Sequence, residues 1–212
     1  MTHDEQVPSR PQESGDHQPR RRLATGDLAR ISVFAALIAV LGLPGGISVL
    51  GNTVPITLQT FGVMLAGAVL GARRGALAVA VLLVLVAAGL PLLAGGRGGL
   101  GVFTGPSAGF LIGWLPGAAV VGWIAGSGGR TPGFARLLVA CLAGGIGVIY
   151  LLGVPVQAAL TGLPLVKAGA LSSVFLPGDL AKAVLASVVA SGVFRAYPAA
   201  GGEQPVAAKG RR

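Results

Sequence analysis

Long apolar runs, not alternating patterns, organise this chain. They lie at 28–43, 55–71, 75–92, 106–125, 134–154 and 176–194, each rich in Leu, Val, Ala and Gly and almost free of charge. Such runs read as membrane helices, although several fall short of the roughly 20 residues that cross a 30 Å hydrocarbon core. The predicted fold is an all-α polytopic membrane protein with six transmembrane helices. Asp27 is an expected N-cap for the first helix, and Pro55 an expected first residue of the second. Between the fifth and sixth spans, 155–174 has room for a short interfacial helix. The flanks differ in character: 1–26 and 198–212 are polar and predict disordered tails around a membrane domain at 27–197. Arg20, Arg21 and Arg22 precede the first run, but no small-residue cleavage site closes it, so it reads as a membrane helix and not as a cleaved signal.

Composition agrees with this pattern. Of 212 residues, 53% are apolar and only 11% charged, less than half the share in an ordinary soluble domain. The net charge of +9 does not point to nucleic acid, because the basic residues flank the apolar runs. Arg30 and the triple arginine sit at the first span, Arg73 and Arg74 between spans two and three, and Arg130 and Arg136 between four and five. Arg195, Lys209, Arg211 and Arg212 follow span six. The alternate loops carry no basic residue at 44–54, only Arg97 at 94–105 and only Lys167 at 155–174. The positive-inside rule then puts both termini in the cytoplasm of a multi-pass plasma-membrane protein, with the first, third and fifth loops outside.

Several function classes lose their chemistry here. Cys141 is the sole cysteine, and His3 and His17 both lie in the N-terminal tail, so neither a metal site nor a nucleophile–histidine pair is expected in the body. No phosphate-binding loop of the G-x-x-x-x-G-K-[ST] type occurs, so the chain is not expected to hydrolyse ATP. Paired carboxylates for acid–base catalysis are missing, because Asp179 is the only acidic residue between Asp27 and Glu203. An enzyme and a cofactor are therefore not expected. Gly109, Gly113 and Gly117 recur every fourth residue, as in closely packed membrane helices.

The polar residues inside the apolar runs are the candidate chemistry. Asp179 and Lys182 share one face of span six at i and i+3, and a lone charge near a bilayer centre costs about 2.5–3.5 kcal/mol. At 1.5 Å per residue, Asp179 lies about 6 Å inside the outer end of its span. The pair suits a small polar molecule with amide-like N–H groups and a carboxylate, or else the two charges merely neutralise each other. Gln59 is either a second ligand contact or a satisfied interhelical hydrogen bond. Tyr150 can stack on a ligand or serve the core, and Arg97 can reach an anion from its glycine-rich loop or stay solvated.

Four segments in order resemble the BioY family, the biotin-specific S components of energy-coupling factor (ECF) vitamin transporters. They are Val54-Pro-Ile-Thr-Leu-Gln-Thr60, Gly89-Leu-Pro-Leu-Leu-Ala-Gly-Gly96, Gly105-Pro-Ser-Ala-Gly-Phe110 and Phe175-Leu-Pro-Gly-Asp179-Leu-Ala-Lys182. The resemblance covers about 28–194. It implies biotin captured from outside as a substrate, with Asp179 on the ureido N–H groups and Lys182 on an acceptor group. It also implies a partner module of two ATPases and one coupling protein, docked through a small-residue pair like Ala35-x-x-x-Ala39 in the first span. Membrane lipid is the other implied partner; nucleic acid is not. The sequence departs from the family pattern at Ser107, Ala108 and Phe110, and at Pro155-Val156-Gln157. An autonomous secondary transporter is the competing reading.

Overall fold

The computed structural model describes residues 24–46, 54–128 and 131–197, so the predicted polar tails lie almost wholly outside the described residues. Within them the backbone forms helices α1 (Thr25–Val40), α2 (Gln59–Leu70), α3 (Ala72–Ala87), α4 (Ala108–Gly126), α5 (Phe134–Ala140), α6 (Ile149–Thr161), α7 (Leu165–Ser173) and α8 (Leu176–Ala196). A 3₁₀ turn occupies Leu100–Phe103, and a π segment, Cys141–Val148, joins α5 to α6 into one 28-residue helix, Phe134–Thr161. Among the described residues three helices are long and apolar enough to cross a membrane: Ala108–Gly126, Phe134–Thr161 and Leu176–Ala196.

Several boundaries differ from the sequence expectation. The second helix starts at Gln59, not Pro55, because 55–57 stay out of the helix and line a cavity. The fifth helix does not stop at 154. It continues through Pro155 to Thr161 and ends at Gly162, whose φ of 69° is the left-handed conformation that glycine adopts freely. The short helix anticipated between spans five and six is α7. Asp27 is not the N-cap of α1 but lies within its first turn, as the third helical residue. Its carboxylate accepts the Ala24 N–H at 3.4 Å and pairs with Arg74 Nε at 2.9 Å, fastening the start of α1 to the start of α3.

Small residues set the packing. Gly71, with φ 80°, alone reverses the chain between α2 and α3, and Gly122 of α4 lies so close that an added Cβ would strike the Gly71–Ala72 backbone. The glycine row on α4 is used for packing, as its spacing indicates: Gly109 faces Val156 and the Leu152 carbonyl, Gly113 faces Ile149, and Gly117 faces Gly144 and Ile149. Helix α4 thereby packs against α2, α3, α6 and the π segment and forms the centre of the bundle. Two apolar clusters stack along it. One holds Ile38, Val63, Leu82, Val86, Leu111 and Ile149 at the end where 41–46, 54–58 and 88–107 gather; the other holds Met64, Val121, Leu137, Cys141 and Phe194 toward the opposite end.

Helix α1 is turned by its larger residues. Ile31, Ala35 and Ile38 form its buried stripe, with Ala35 only 4% exposed and Ala39 half-buried. On this chain the Ala35–Ala39 pair is therefore not an outward row. The outward stripe is Ala29, Ser32, Val33, Ala36 and Val40.

Candidate ligand-binding site

Three N-terminal helix ends, those of α2, α4 and α8, converge at one end of the bundle. Between them lies a cavity that opens to solvent, with about 590 Å³ of empty space counted out through its mouth. Its wall brings together all five residues singled out as ligand candidates from the sequence: Gln59, Arg97, Tyr150, Asp179 and Lys182.

Asp179 stands on the first turn of α8, where the helix N-terminus favours a negative charge. Its Oδ1 accepts Lys182 Nζ at 2.9 Å, one helical turn on, and its Oδ2 accepts the Tyr150 hydroxyl at 2.7 Å. Thr60 completes the group: its Oγ1 accepts Lys182 Nζ at 3.1 Å and lies 3.4 Å from Asp179 Oδ1. Both charged side chains are more than nine-tenths buried. The i, i+3 spacing explains why they meet, and the hydroxyls of Tyr150 and Thr60 satisfy further hydrogen-bonding capacity, as a buried ion pair requires. The cluster leaves the carboxylate and ammonium on the wall of this cavity with their geometry already fixed.

Gln59 plays a different part. It is 1% exposed, donates to the carbonyls of Ile38 at 3.2 Å and Leu92 at 3.1 Å, and accepts the Ala94 N–H at 3.2 Å. One amide thus ties the end of α1 and the 88–99 loop to the start of α2. Of the two readings open for it, the interhelical one matches these bonds. Gln59→Leu is expected to strand those three backbone groups and lower stability by about 2 kcal/mol. Thermal unfolding of the purified chain, which should shift down by several degrees, checks this.

The glycine-rich stretch around Arg97 is a tight turn and not a loose loop. Leu93 and Arg97 exchange backbone hydrogen bonds at 3.0 and 3.3 Å across Gly95 and Gly96, both at positive φ. The buried Leu93 anchors the turn, and Arg97 is held by Nε donating to the Ala94 carbonyl at 3.2 Å and by Nη1 at 3.4 Å from Ser107 Oγ. Among the described residues Arg97 has no carboxylate partner, so its guanidinium charge at the cavity wall remains available to an anion.

The apolar wall was less legible. Phe110 packs edge-on against Tyr150 at 5.8 Å and against Phe175 at 6.4 Å. Gly153 makes this possible, because a Cβ there would collide with the Phe110 ring. Thr60, Phe175 and Trp114 also line the cavity and were not singled out beforehand. Thr60 and Phe175 lie inside the quoted segments, but a hydroxyl or ring in a membrane helix carries no signal of its own until its neighbour is known.

A helical membrane bundle with a buried ion pair, an aromatic wall and an unpaired arginine around one cavity is a ligand-binding membrane protein in form. Comparison with known proteins narrows the class. The BioY family profile matches residues 14–199. The Biotin transporter BioY of Rhizobium etli is 47% identical over 182 residues, covering 83% of this chain and 97% of its own length. The Biotin transporter BioY of Rhodobacter capsulatus is 48% identical over 185 residues, covering 80% and 94%. Among solved structures, the S-component for biotin from an ECF-type ABC transporter superposes with a TM-score of 0.77 at 30% identity, covering 82% of this chain and 95% of that one. The chain belongs to the BioY family, and it is an integral membrane protein.

Proposed function

We propose that this chain is the substrate-capturing membrane subunit of a biotin transporter, delivering biotin inward with an ATP-driven ECF module. Within that reading, α1, α2, α3, α4, the α5–α6 helix and α8 are six crossings with both termini cytoplasmic, so that the cavity opens outward. The span 27–197 is the membrane domain, with 1–26 and 198–212 as cytoplasmic tails. The chain needs no cofactor and performs no chemistry on its ligand.

The observation that carries the reading is that one cavity wall holds both a buried Asp179–Lys182 pair and an arginine with no carboxylate partner among the described residues. Asp179, braced by Tyr150, Thr60 and Lys182, offers an ionised acceptor to the ureido N–H groups of biotin. Lys182 supplies a donor to an acceptor atom beside them. Arg97, lacking an acidic partner among the described residues, suits the valerate carboxylate better than Lys182, which already has one. The rings of Phe110, Tyr150 and Phe175 form the apolar wall between. Gln59 shapes the site by fixing the backbone around it. Docking on a coupling protein would use α1 through its outward stripe of Ala29, Ser32 and Ala36, with Ala39 at the edge.

Arg97→Ala separates the two roles. It is expected to weaken biotin binding about tenfold to a hundredfold, the range for losing a charge-assisted contact, and to leave biotin methyl ester binding unchanged. Equal losses for both ligands would remove Arg97 from the carboxylate.

A further inference from the structure

Gln59 uses both of its amide N–H donors on backbone carbonyls, Ile38 at 3.2 Å and Leu92 at 3.1 Å, so it has no N–H left for a ligand even though it lies on the cavity wall. What it holds matters more than what it could touch. Its bonds to the Leu92 carbonyl and the Ala94 N–H grip the two residues on either side of Leu93, where the tight turn 93–97 begins. Gly95 and Gly96 contribute no side chain to hold that turn. Ala94 is itself buried, and its carbonyl accepts Arg97 Nε–H at 3.2 Å. A continuous run of bonds therefore leads from the Gln59 amide through Ala94 to the Arg97 guanidinium. Beyond it, Arg97 has only the longer contact of 3.4 Å with Ser107 Oγ among the described residues.

We infer that Gln59 is a positioning residue for Arg97: its amide fixes the 93–97 turn so that the guanidinium stands where the ligand's carboxylate arrives. This rests on the biotin reading above, in which Arg97 takes the carboxylate. A guanidinium recognises a carboxylate through a planar fork of N–H donors, and such a contact weakens when its support lets it drift by about half an ångström. Releasing the turn leaves the arginine its charge and takes away its aim. The Asp179–Lys182 pair does not depend on that turn. It is set by its own helical spacing and by the hydroxyls of Thr60 and Tyr150. Loss of the Gln59 amide therefore reaches the carboxylate contact and spares the contacts to the ring. A tie that served stability alone would make no such distinction between parts of the ligand.

Gln59→Met keeps an unbranched side chain of similar length and removes the amide. In the purified full chain it is expected to weaken biotin about tenfold and biotin methyl ester less than about twofold. In an Arg97→Ala background the same substitution should weaken biotin less than about twofold, because the residue it positions is gone. Equal losses for the two ligands, a loss that persists without Arg97, or parent-like biotin affinity each overturn the inference. Gly42→Ala reads the same junction should Gln59→Met not fold. It keeps the amide, but the added Cβ would lie 2.9 Å from the Leu92 carbonyl oxygen and 3.0 Å from Gln59 Cδ and Nε2, so the two must part. A loss of about threefold for biotin, with the methyl ester unchanged, is expected. An equal loss for both ligands, or none for biotin, overturns the inference. If Arg97→Ala alone weakens both ligands equally, the carboxylate assignment has failed and the inference falls with it. A selective Arg97→Ala beside an unselective Gln59→Met is the failure of the inference alone.

Discussion

Asp179→Asn is expected to weaken biotin binding by at least about a hundredfold, equivalent to about 2.8 kcal/mol. Two losses combine. The ligand's N–H groups exchange an ionised acceptor for a neutral one, and charged hydrogen bonds contribute about 1.5–3 kcal/mol each. Lys182, 2.9 Å from the carboxylate, also loses its counter-charge while remaining buried. Removing one partner of a buried pair costs about 3–5 kcal/mol, so the variant should also unfold at lower temperature. The double variant Asp179→Asn, Lys182→Met separates the effects. It should recover most of the thermal stability, because no unpaired charge remains, and it should still bind biotin poorly. Labelled-biotin titration of the purified variants reads both outcomes. Parent-like affinity of Asp179→Asn would remove the carboxylate from the site.

The second large effect concerns packing. Gly144 in the π segment faces Gly117 of α4 so closely that a Cβ would meet the Gly117 carbonyl oxygen at 2.6 Å and the Val121 N–H at 2.7 Å. Both obstacles are backbone, so neither can rotate aside. Gly144→Leu is expected to push the α5–α6 helix off α4 and to destabilise the chain by about 3 kcal/mol or more. Its neighbour Gly145 lines the cavity, so biotin affinity should fall with stability. Gly192 is the matched control: nothing lies within 4 Å of an added Cβ there, and Gly192→Leu should leave the unfolding temperature within a degree or two. Similar unfolding temperatures for the two variants would contradict the close α4–π contact.

The chemistry of the site was more legible in the sequence than its construction. Asp179 and Lys182 announce themselves because charge inside an apolar run is costly and their spacing puts them on one helix face. Arg97 is equally visible as a charge, but nothing in a run of glycines says that the backbone folds into a turn that aims it at a cavity. Gln59 shows the reverse case. Its polarity marks it, yet three backbone groups from distant segments, all invisible to local pattern, decide that it is a tie between helices. Trp114 gives no signal at all, since a tryptophan in a membrane helix is ordinary until it is seen on the cavity wall. For the fold, periodicity located the long helices, but Pro55 and Pro155 misplaced two boundaries. Proline limits helices in water, whereas inside a packed bundle neighbouring groups make up for the missing N–H, so α6 continues through Pro155. On α1 the Ala35-x-x-x-Ala39 spacing does not state which way the helix faces, and in this chain Ala35 is buried.

The most direct test is equilibrium binding of labelled biotin to the purified chain in detergent, with no ATP and no other protein present. Saturable binding of one biotin per chain is expected, with a dissociation constant on the order of nanomolar and no comparable binding of other vitamins. Absence of saturable biotin binding, or binding that appears only when ATP and an energising module are supplied, would contradict it.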